Sequence, residues 1–433
     1  MTPTHDFVGI GIGPFNLGLA CLTAPLSELD GIFLDERDSF SWHPGLMIDG
    51  VTIQLPFLAD LVTMADPTSA YSFLNYLKAT GRLCRFYIRE DFYPLRAEYQ
   101  AYCQWVTDQL PNLQFGTRVA QITYDEPERC YLVHTRRGGQ REVLRARRLV
   151  LGIGTEPWLP APARDLAGPA IHSADYLPHR EELRSLDSVT IIGSGQSAAE
   201  IYLDLLQAGT PGHLNWVTRS PRFFPMEYTK LSLELTSPDY IDYFHALPAT
   251  GRGRLNREQR HLYKGINGAL INQIYDTLYR RELGDPAPTT LLTGVTLTAA
   301  DWQPADSRYQ LRLRHEEQAR EFTLRSQGLI LATGYQPRTP GFLAPVHDRI
   351  RWDEYGRFQV SRGYAVDLAE AEIFVQNAEE HTHSLTAPDL GMGAYRNSVI
   401  IAAMLGKEIY PIERSVAFQR FGAPEPAGSE LAG

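Results

Sequence analysis

Two glycine-rich turns, each between an apolar strand and a helix, constrain this chain more than any other feature. The first follows Phe7-Val8-Gly9-Ile10 and reads Gly11-Ile12-Gly13-Pro14-Phe15-Asn16, with a helix over 17–22. Gly11 allows a tight turn. Gly13 lets a pyrophosphate approach bare backbone, where the helix presents free N–H groups and the positive end of its dipole. Asn16 stands where the G-x-G-x-x-G pattern has its third glycine, so this turn alone is a weak signal. The next strand, Gly31-Ile32-Phe33-Leu34, ends in Asp35-Glu36. An acid there accepts hydrogen bonds from ribose hydroxyls; Asp35 is the first choice and Glu36 the alternate. The second turn follows Ser188-Val189-Thr190-Ile191-Ile192 and reads Gly193-Ser194-Gly195-Gln196-Ser197-Ala198, ahead of a helix over 199–207. Its next strand, His213-Leu214-Asn215-Trp216-Val217, ends in Thr218-Arg219-Ser220 and then Arg222, with no acid. Arginines there suit the 2′-phosphate of NADPH better than the free ribose of NADH.

Two strands that end in small residues flank the second turn: Leu149-Val150-Leu151-Gly152-Ile153-Gly154-Thr155 and Leu329-Ile330-Leu331-Ala332-Thr333-Gly334-Tyr335. Small residues at a buried strand end let the backbone pass close to a bulky cofactor. The order of motifs predicts an α/β fold with two Rossmann-like dinucleotide-binding domains and a small, mainly helical substrate insertion. The FAD domain is expected over 1–185 and 326–420, and the NADPH domain over 186–225 and 286–325. The insertion is expected over 226–285, mostly helical after Asn256, and a disordered tail over 421–433. A flavin accepts hydride from a nicotinamide, so the protein need only bring the two rings together. The two glycine turns share motif chemistry and little else, and no internal duplication is legible.

Composition narrows the classes. A chain of 433 residues with 43% hydrophobic and 21% charged content is long enough for two or three soluble domains. Its net charge of −10 and lack of a basic stripe argue against nucleic acid; a negative surface suits a cationic substrate or simple solubility. Cys21, Cys84, Cys103 and Cys130 form no C-x-x-C, so neither a disulfide framework nor a zinc site is expected. The thiols read as reduced, in a cytoplasmic protein without signal peptide or membrane span. His381 and His383 lack a third ligand at sensible spacing, so no metal is expected. Further ligand-side candidates lie in loops: Trp42 and His43 in Ser39-Phe40-Ser41-Trp42-His43-Pro44-Gly45, Gln54 in the next loop, and Asn377 after Ile373-Phe374-Val375-Gln376. Asp389 and Leu390 precede a helix expected over 395–405, where strand, polar loop and helix start make an anion or flavin-edge site.

These residues resemble the flavin-dependent N-hydroxylating monooxygenases of siderophore biosynthesis, which act on lysine, ornithine or small diamines. The resemblance spans nearly the whole chain. Its carriers are the two glycine turns, Phe40-Ser41-Trp42-His43-Pro44-Gly45, Asp66-Pro67-Thr68 with Phe73-Leu74-Asn75-Tyr76-Leu77, Ala332-Thr333-Gly334-Tyr335, and Thr382-His383. It implies that NADPH reduces FAD, that reduced flavin and O₂ give a C4a-hydroperoxide, and that a neutral primary amine takes the distal oxygen. It also implies a dimer or tetramer. The protein must exclude water and hold the reacting amine uncharged.

One departure matters. The amino-acid hydroxylases of the family typically read Phe-Leu-Lys-Asp where this chain has Phe57-Leu58-Ala59-Asp60, and that lysine pairs with the substrate carboxylate. Ala59 cannot, and Leu231-Ser232-Leu233 lacks the polar side chain the ornithine enzymes place nearby. An unpaired buried carboxylate costs about 3–5 kcal/mol. The expected substrate is therefore a diamine, cadaverine or putrescine, whose distal ammonium needs an acid: Glu234, Glu379 or Asp389. Ala59, Leu233, Glu234, Glu379 and His383 are the substrate-side candidates. The alternatives are a lysine (or ornithine) N-hydroxylase in which Lys230 or Lys264 replaces the missing cation, a disulfide or quinone reductase, and a non-enzymatic nucleotide-binding scaffold.

Overall fold

Alternation along the first strand decides which side of its sheet each residue faces. In the computed structural model, which describes residues 3–209, 212–284, 288–369 and 371–423, β1 (Thr4–Ile10) sends Phe7 into one core and Val8 and Ile10 into another. Beside it run β2 (Gly31–Leu34), β3 (Leu113–Gln114), β4 (Thr117–Asp125), β5 (Cys130–Arg137) and β6 (Gln140–Leu151), in the order β3-β2-β1-β6-β5-β4. β6 is long enough to serve twice. Its first part closes an antiparallel meander with β5, and its last part lies parallel to β1. Helix α1 (Pro14–Thr23) starts earlier than residue 17, because Pro14 has the fixed φ that suits a first turn. It packs with α2 (Arg96–Thr107) on the Phe7 side of the sheet.

The second sheet contains β7 (Ile171–His172), β8 (Ser188–Ile192), β9 (His213–Val217) and β10 (Thr289–Leu292). A separate meander of β11 (Val295–Gln303), β12 (Arg308–His315) and β13 (Arg320–Ser326) leads into β14 (Gly328–Leu331). The parallel order is β10-β9-β8-β14-β7. Domain limits at 185/186 and 325/326 therefore part from the sheets. β7 precedes the first limit and β14 follows the second, yet both are hydrogen-bonded into the second sheet. β15 (Ile373–Val375) returns to β6, carrying the chain back to the first sheet.

The two sheets repeat one topology. Each has strand, glycine turn, helix, strand, helical excursion, short edge strand, three-stranded antiparallel meander, and a last strand beside the first. The duplication that the sequence hides is visible in the pairing.

Helix α3 (Gln196–Ala208) follows the second glycine turn. The insertion is helical well before Asn256. It holds α4 (Lys230–Leu233), α5 (Pro238–Ala246, capped by Ser237), Ala249–Glu258, Arg260–Lys264 and α6 (Gly268–Glu282). The last helix, α7 (Gly391–Leu405), starts before the expected 395 and packs against α1. The tail differs from expectation at its start. Phe421 lies edge-on to Tyr240 at 5.1 Å, an apolar contact that orders it; residues 424–433 lie outside the described residues.

Candidate active site

The two glycine turns and the C-terminal loop open into one cavity of about 1340 Å³. That exceeds the roughly 300–1,000 Å³ of a single small-molecule site. The first turn and the strand after it contribute Gly11, Gly13, Pro14, Phe15, Asp35 and Glu36 to its lining, and the second turn contributes Gln196 and Ser197. Trp42, His43, Gln54, Gly154, Tyr335, Asn377, Asp389 and Leu390 line it too, with Leu233 from the insertion.

The glycines divide the work. Gly11 has φ +88°, and a Cβ there would stand 2.3 Å from the Gly152 carbonyl oxygen, so only glycine lets strand and turn approach. At Gly13 an added Cβ meets nothing within 4 Å, because that side is cavity. At Gly193, with φ +149°, an added Cβ would stand 2.1 Å from the Ala332 carbonyl oxygen, so the small strand end at Ala332 serves the second turn's packing. Gly193 and Gly195 support the turn without lining the cavity.

Several candidates change role. Asp35 is consumed internally: its carboxylate accepts from Ile12 N–H at 2.7 Å and from the Arg37 backbone and guanidinium. Glu36 keeps an exposed carboxylate beside it on the cavity wall. Asn16 does not reach the cavity. It donates to the Gly11 carbonyl at 2.8 Å and accepts from Gln376 at 2.7 Å, stitching the turn to the end of β15. A polar knot thus occupies the place where a third glycine would permit close packing. Arg219 also lies outside the cavity; its guanidinium sits 5.8 Å over Trp158. Thr333 donates to the Trp158 carbonyl, and Gly334 bonds Trp158 and His172 through its own carbonyl. Both set Tyr335, whose ring meets His172 at 5.2 Å and His43 at 5.9 Å. The protein around His43 and the Arg96 charge push its pKa down to about 4, so the imidazole meets the cavity neutral.

The three acids separate cleanly. Glu234 projects away from the cavity and accepts N–H bonds from Phe418 and Gln419. Glu379 is fully buried against Arg396, with its Oε1 3.0 Å from the guanidinium. His383 is buried too, stacked on Tyr364 at 4.6 Å. Asp389 alone of the three acids lines the cavity. Burial pushes its carboxyl up, against N–H bonds from Met392 and Gly391 and the Arg396 charge. Ala59 stands close by: a Cβ built on Gly391 would lie 3.0 Å from Asp389 Oδ1 and 3.7 Å from the Ala59 methyl. Asp60, next in sequence, is spent on Val62, Thr63 and Phe73 N–H groups.

Sequence reasoning passed over Arg96. This buried arginine on α2 pairs with Glu200 of α3 at 2.8 Å, and Glu200 also accepts from Gln196. Gln196 in turn accepts from Asn267 N–H, so one network ties the first unit, the second glycine turn and the insertion. No local pattern marks a partner 104 residues away. Tyr228, Ser232, Thr236 and Tyr263 also line the cavity; the aromatic richness of the insertion was the available signal for the tyrosines. Among the described residues no group of histidine, cysteine and acidic side chains could hold a metal, and none of the four cysteines lines the cavity.

An α/β chain in which two glycine turns, each between a strand and a helix, contribute residues to one large cavity has the architecture of a two-dinucleotide oxidoreductase. The sequence profile of the L-lysine 6-monooxygenase/L-ornithine 5-monooxygenase family matches residues 3–337, and the chain belongs to that family of monooxygenases. It is 49% identical to a putrescine N-hydroxylase of Shewanella oneidensis over 423 residues, covering 96% of this chain and 84% of that protein. The FAD-bound cadaverine monooxygenase of the desferrioxamine pathway from Erwinia amylovora superposes with TM-score 0.96 and 49% identity. That match covers 99% of this chain and 100% of that one. The ornithine N-hydroxylase of a Kutzneria species, solved with reduced FAD, NADP⁺ and L-ornithine, matches at TM-score 0.86 and 28% identity, covering 93% and 99%.

Proposed function

We infer that the protein hydroxylates one amine of an aliphatic diamine, cadaverine or putrescine, using FAD, NADPH and O₂, in hydroxamate siderophore biosynthesis. The observation that carries this reading is the pairing of Ala59 with Asp389. Where the amino-acid hydroxylases carry a lysine for the substrate carboxylate, this chain has the buried methyl of Ala59, which does not itself line the cavity, packed near Gly391 and Asp389, and the acid Asp389 is what faces the cavity. That wall repels a carboxylate and attracts an ammonium.

The cavity fits the two dinucleotides. Gly13 leaves room for a pyrophosphate at the start of α1, Glu36, in a loose exposed pair with Arg118, is accessible to a ribose, and Trp42, Gln54, Asn377 and Leu390 line the same cavity. Gln196 and Ser197 open the second site at the start of α3, and Arg219 and Arg222, in the loop after β9 and outside the cavity lining, are the arginines proposed to reach the 2′-phosphate. When bound, FAD takes hydride from NADPH and delivers one oxygen atom of O₂ to the substrate nitrogen. The chain's own residues do the rest. Asp389 orients the diamine by its distal ammonium. Phe15, Leu233 and Leu390 surround the space with apolar surface, which disfavours a charged reacting amine and keeps its lone pair available. The same surface excludes water.

The rival amino-acid reading does not find its cation in either lysine proposed for it, although Arg37, Arg96, Arg118, Arg136 and Arg338 line other parts of the cavity wall. Lys264 is held by Glu380 at 2.9 Å, Lys230 is exposed, and neither lines the cavity. The disulfide-reductase reading lacks a thiol pair at the cavity. A dimer or tetramer in the cytoplasm completes the proposal. The exposed face of α6, with Tyr275, Tyr279 and Leu283, is of the kind such contacts use. No helix among the described residues is long and apolar enough to cross a membrane.

The test measures hydroxylamine formed per NADPH consumed, with cadaverine, putrescine, lysine and ornithine in parallel, in wild type and Asp389→Asn. Coupled product from a diamine is expected, with a diamine KM raised about 30-fold or more in the variant, since removing one partner of a buried charge pair costs about 2–5 kcal/mol. Coupling with lysine or ornithine and not with either diamine would overturn the reading.

A further inference from the structure

The wall of the cavity formed by α4 is short of internal support. Ser232, Leu233 and Thr236 line the cavity, yet none of the four helical residues is buried, and Leu231 and Leu233 are 62% and 42% exposed. One helical turn does not hold itself in water. A segment from the far end of the chain lies across its outer side. Beyond α7, Tyr410 anchors on α1 by donating to the Leu22 carbonyl at 2.7 Å. The chain then crosses to the insertion, where two carboxylates receive its backbone. Asp239 accepts from Ser415 Oγ at 3.0 Å, Val416 N–H at 2.8 Å and Ala417 N–H at 3.2 Å. Glu234 accepts from Phe418 N–H at 3.0 Å and Gln419 N–H at 2.9 Å, and the Gln419 amide donates back to the Leu231 carbonyl at 2.6 Å. Phe421 then lies edge-on to Tyr240 of α5 and beside Tyr243.

We propose that residues 415–421 are a strap that fixes the α4 wall from outside, with Glu234 and Asp239 as positioning residues that set the KM for the amine substrate. Successive N–H groups meeting a carboxylate make charge-assisted bonds, stronger than neutral ones. Glu234 caps the C-terminal end of α4, next to Leu233, so the strap's hold passes directly to Ser232 and Leu233 on the cavity side. The strap touches no cavity-lining residue of either glycine turn, so it leaves the encounter of the two dinucleotides alone. The inference rests on the cavity being the amine site.

The experiment compares wild type with removal of residues 414–433 and, separately, with Glu234→Ala in the full chain. Three readings are taken on each FAD-loaded protein: KM for putrescine and cadaverine, NADPH oxidation without amine, and amide hydrogen exchange over 229–236. Both variants are expected to raise the diamine KM several-fold, leave NADPH oxidation unchanged, and speed exchange in the 229–236 amides. Should the truncated chain fold poorly, Glu234→Ala and Gln419→Ala carry the test. Unchanged KM and unchanged exchange in folded variants would overturn the strap. Failure of the wild type to turn over any diamine would sink the substrate assignment instead, and the exchange measurement would still judge the strap.

Discussion

At the scale of single residues, the two glycines of the first turn predict opposite failures. Gly11→Ala places a Cβ 2.3 Å from the Gly152 carbonyl at positive φ, a backbone conflict added to about 1–3 kcal/mol of strain. The variant should lose stability in thermal denaturation whether or not flavin is present. Gly13→Ala meets no protein atom, so its circular dichroism should be native while its flavin-to-protein ratio after purification falls, about tenfold in affinity or more. Loss of fold in the second variant, with flavin content normal in the first, would refute this division. The sequence showed the spacing of these glycines and therefore the kind of ligand. It could not show that Asp35 is spent on Ile12 and Arg37 while Glu36 stays exposed beside Arg118, because adjacent acids look alike until the turn closes over one of them. Glu234, Glu379 and Asp389 were unrankable for the same reason: what separates them is the company each keeps from distant parts of the chain.

At the scale of elements, the contact of α2 with α3 rests on a charge pair rather than on packing alone. Arg96 and Glu200 are 8% and 3% exposed, so Glu200→Ala strands a buried guanidinium. The expected loss is about 3–5 kcal/mol, read as a lowered midpoint in urea or heat. Because Gln196 shares Glu200, the KM for NADPH should rise as well. Helix and strand positions were largely legible, since alternation and glycine turns are local. Helix starts were less so: Pro14 opens α1 although proline usually reads as a breaker. The repeated topology was hidden altogether. Pairings such as Val8 with Leu149 and Ile191 with Ile330 join residues far apart, and no periodicity records them.

At the scale of the whole molecule, two buried groups should answer acid with opposite signs in stability. Burial holds the His383 imidazole well below its ordinary 6.5, with His245 and two arginines adding to the depression. Below pH 6.5 the unfolded chain therefore takes up a proton that the folded one refuses, and stability falls with falling pH, by about 1.4 kcal/mol for each unit of depression traversed. Substituting His383 by Phe should flatten that limb of the denaturation curve. Asp389 has the opposite sign: its folded carboxyl holds a proton more readily than the unfolded one. Asp389→Asn should thus raise the thermal midpoint at neutral pH while the diamine KM worsens, a stability gain paired with a functional loss. In wild type, acidification that protonates Asp389 should raise the diamine KM before the fold is lost. The Arg96–Glu200 pair also bears on how the enzyme moves through a cycle. A hinge motion that swung the two nucleotide-binding units apart would pull that pair open, leaving Arg96 with the Leu46 carbonyl and the cavity and Glu200 with Gln196 alone. Such a motion carries an electrostatic cost, which favours traffic of reductant and product through local shifts of side chains and loops at the cavity mouth.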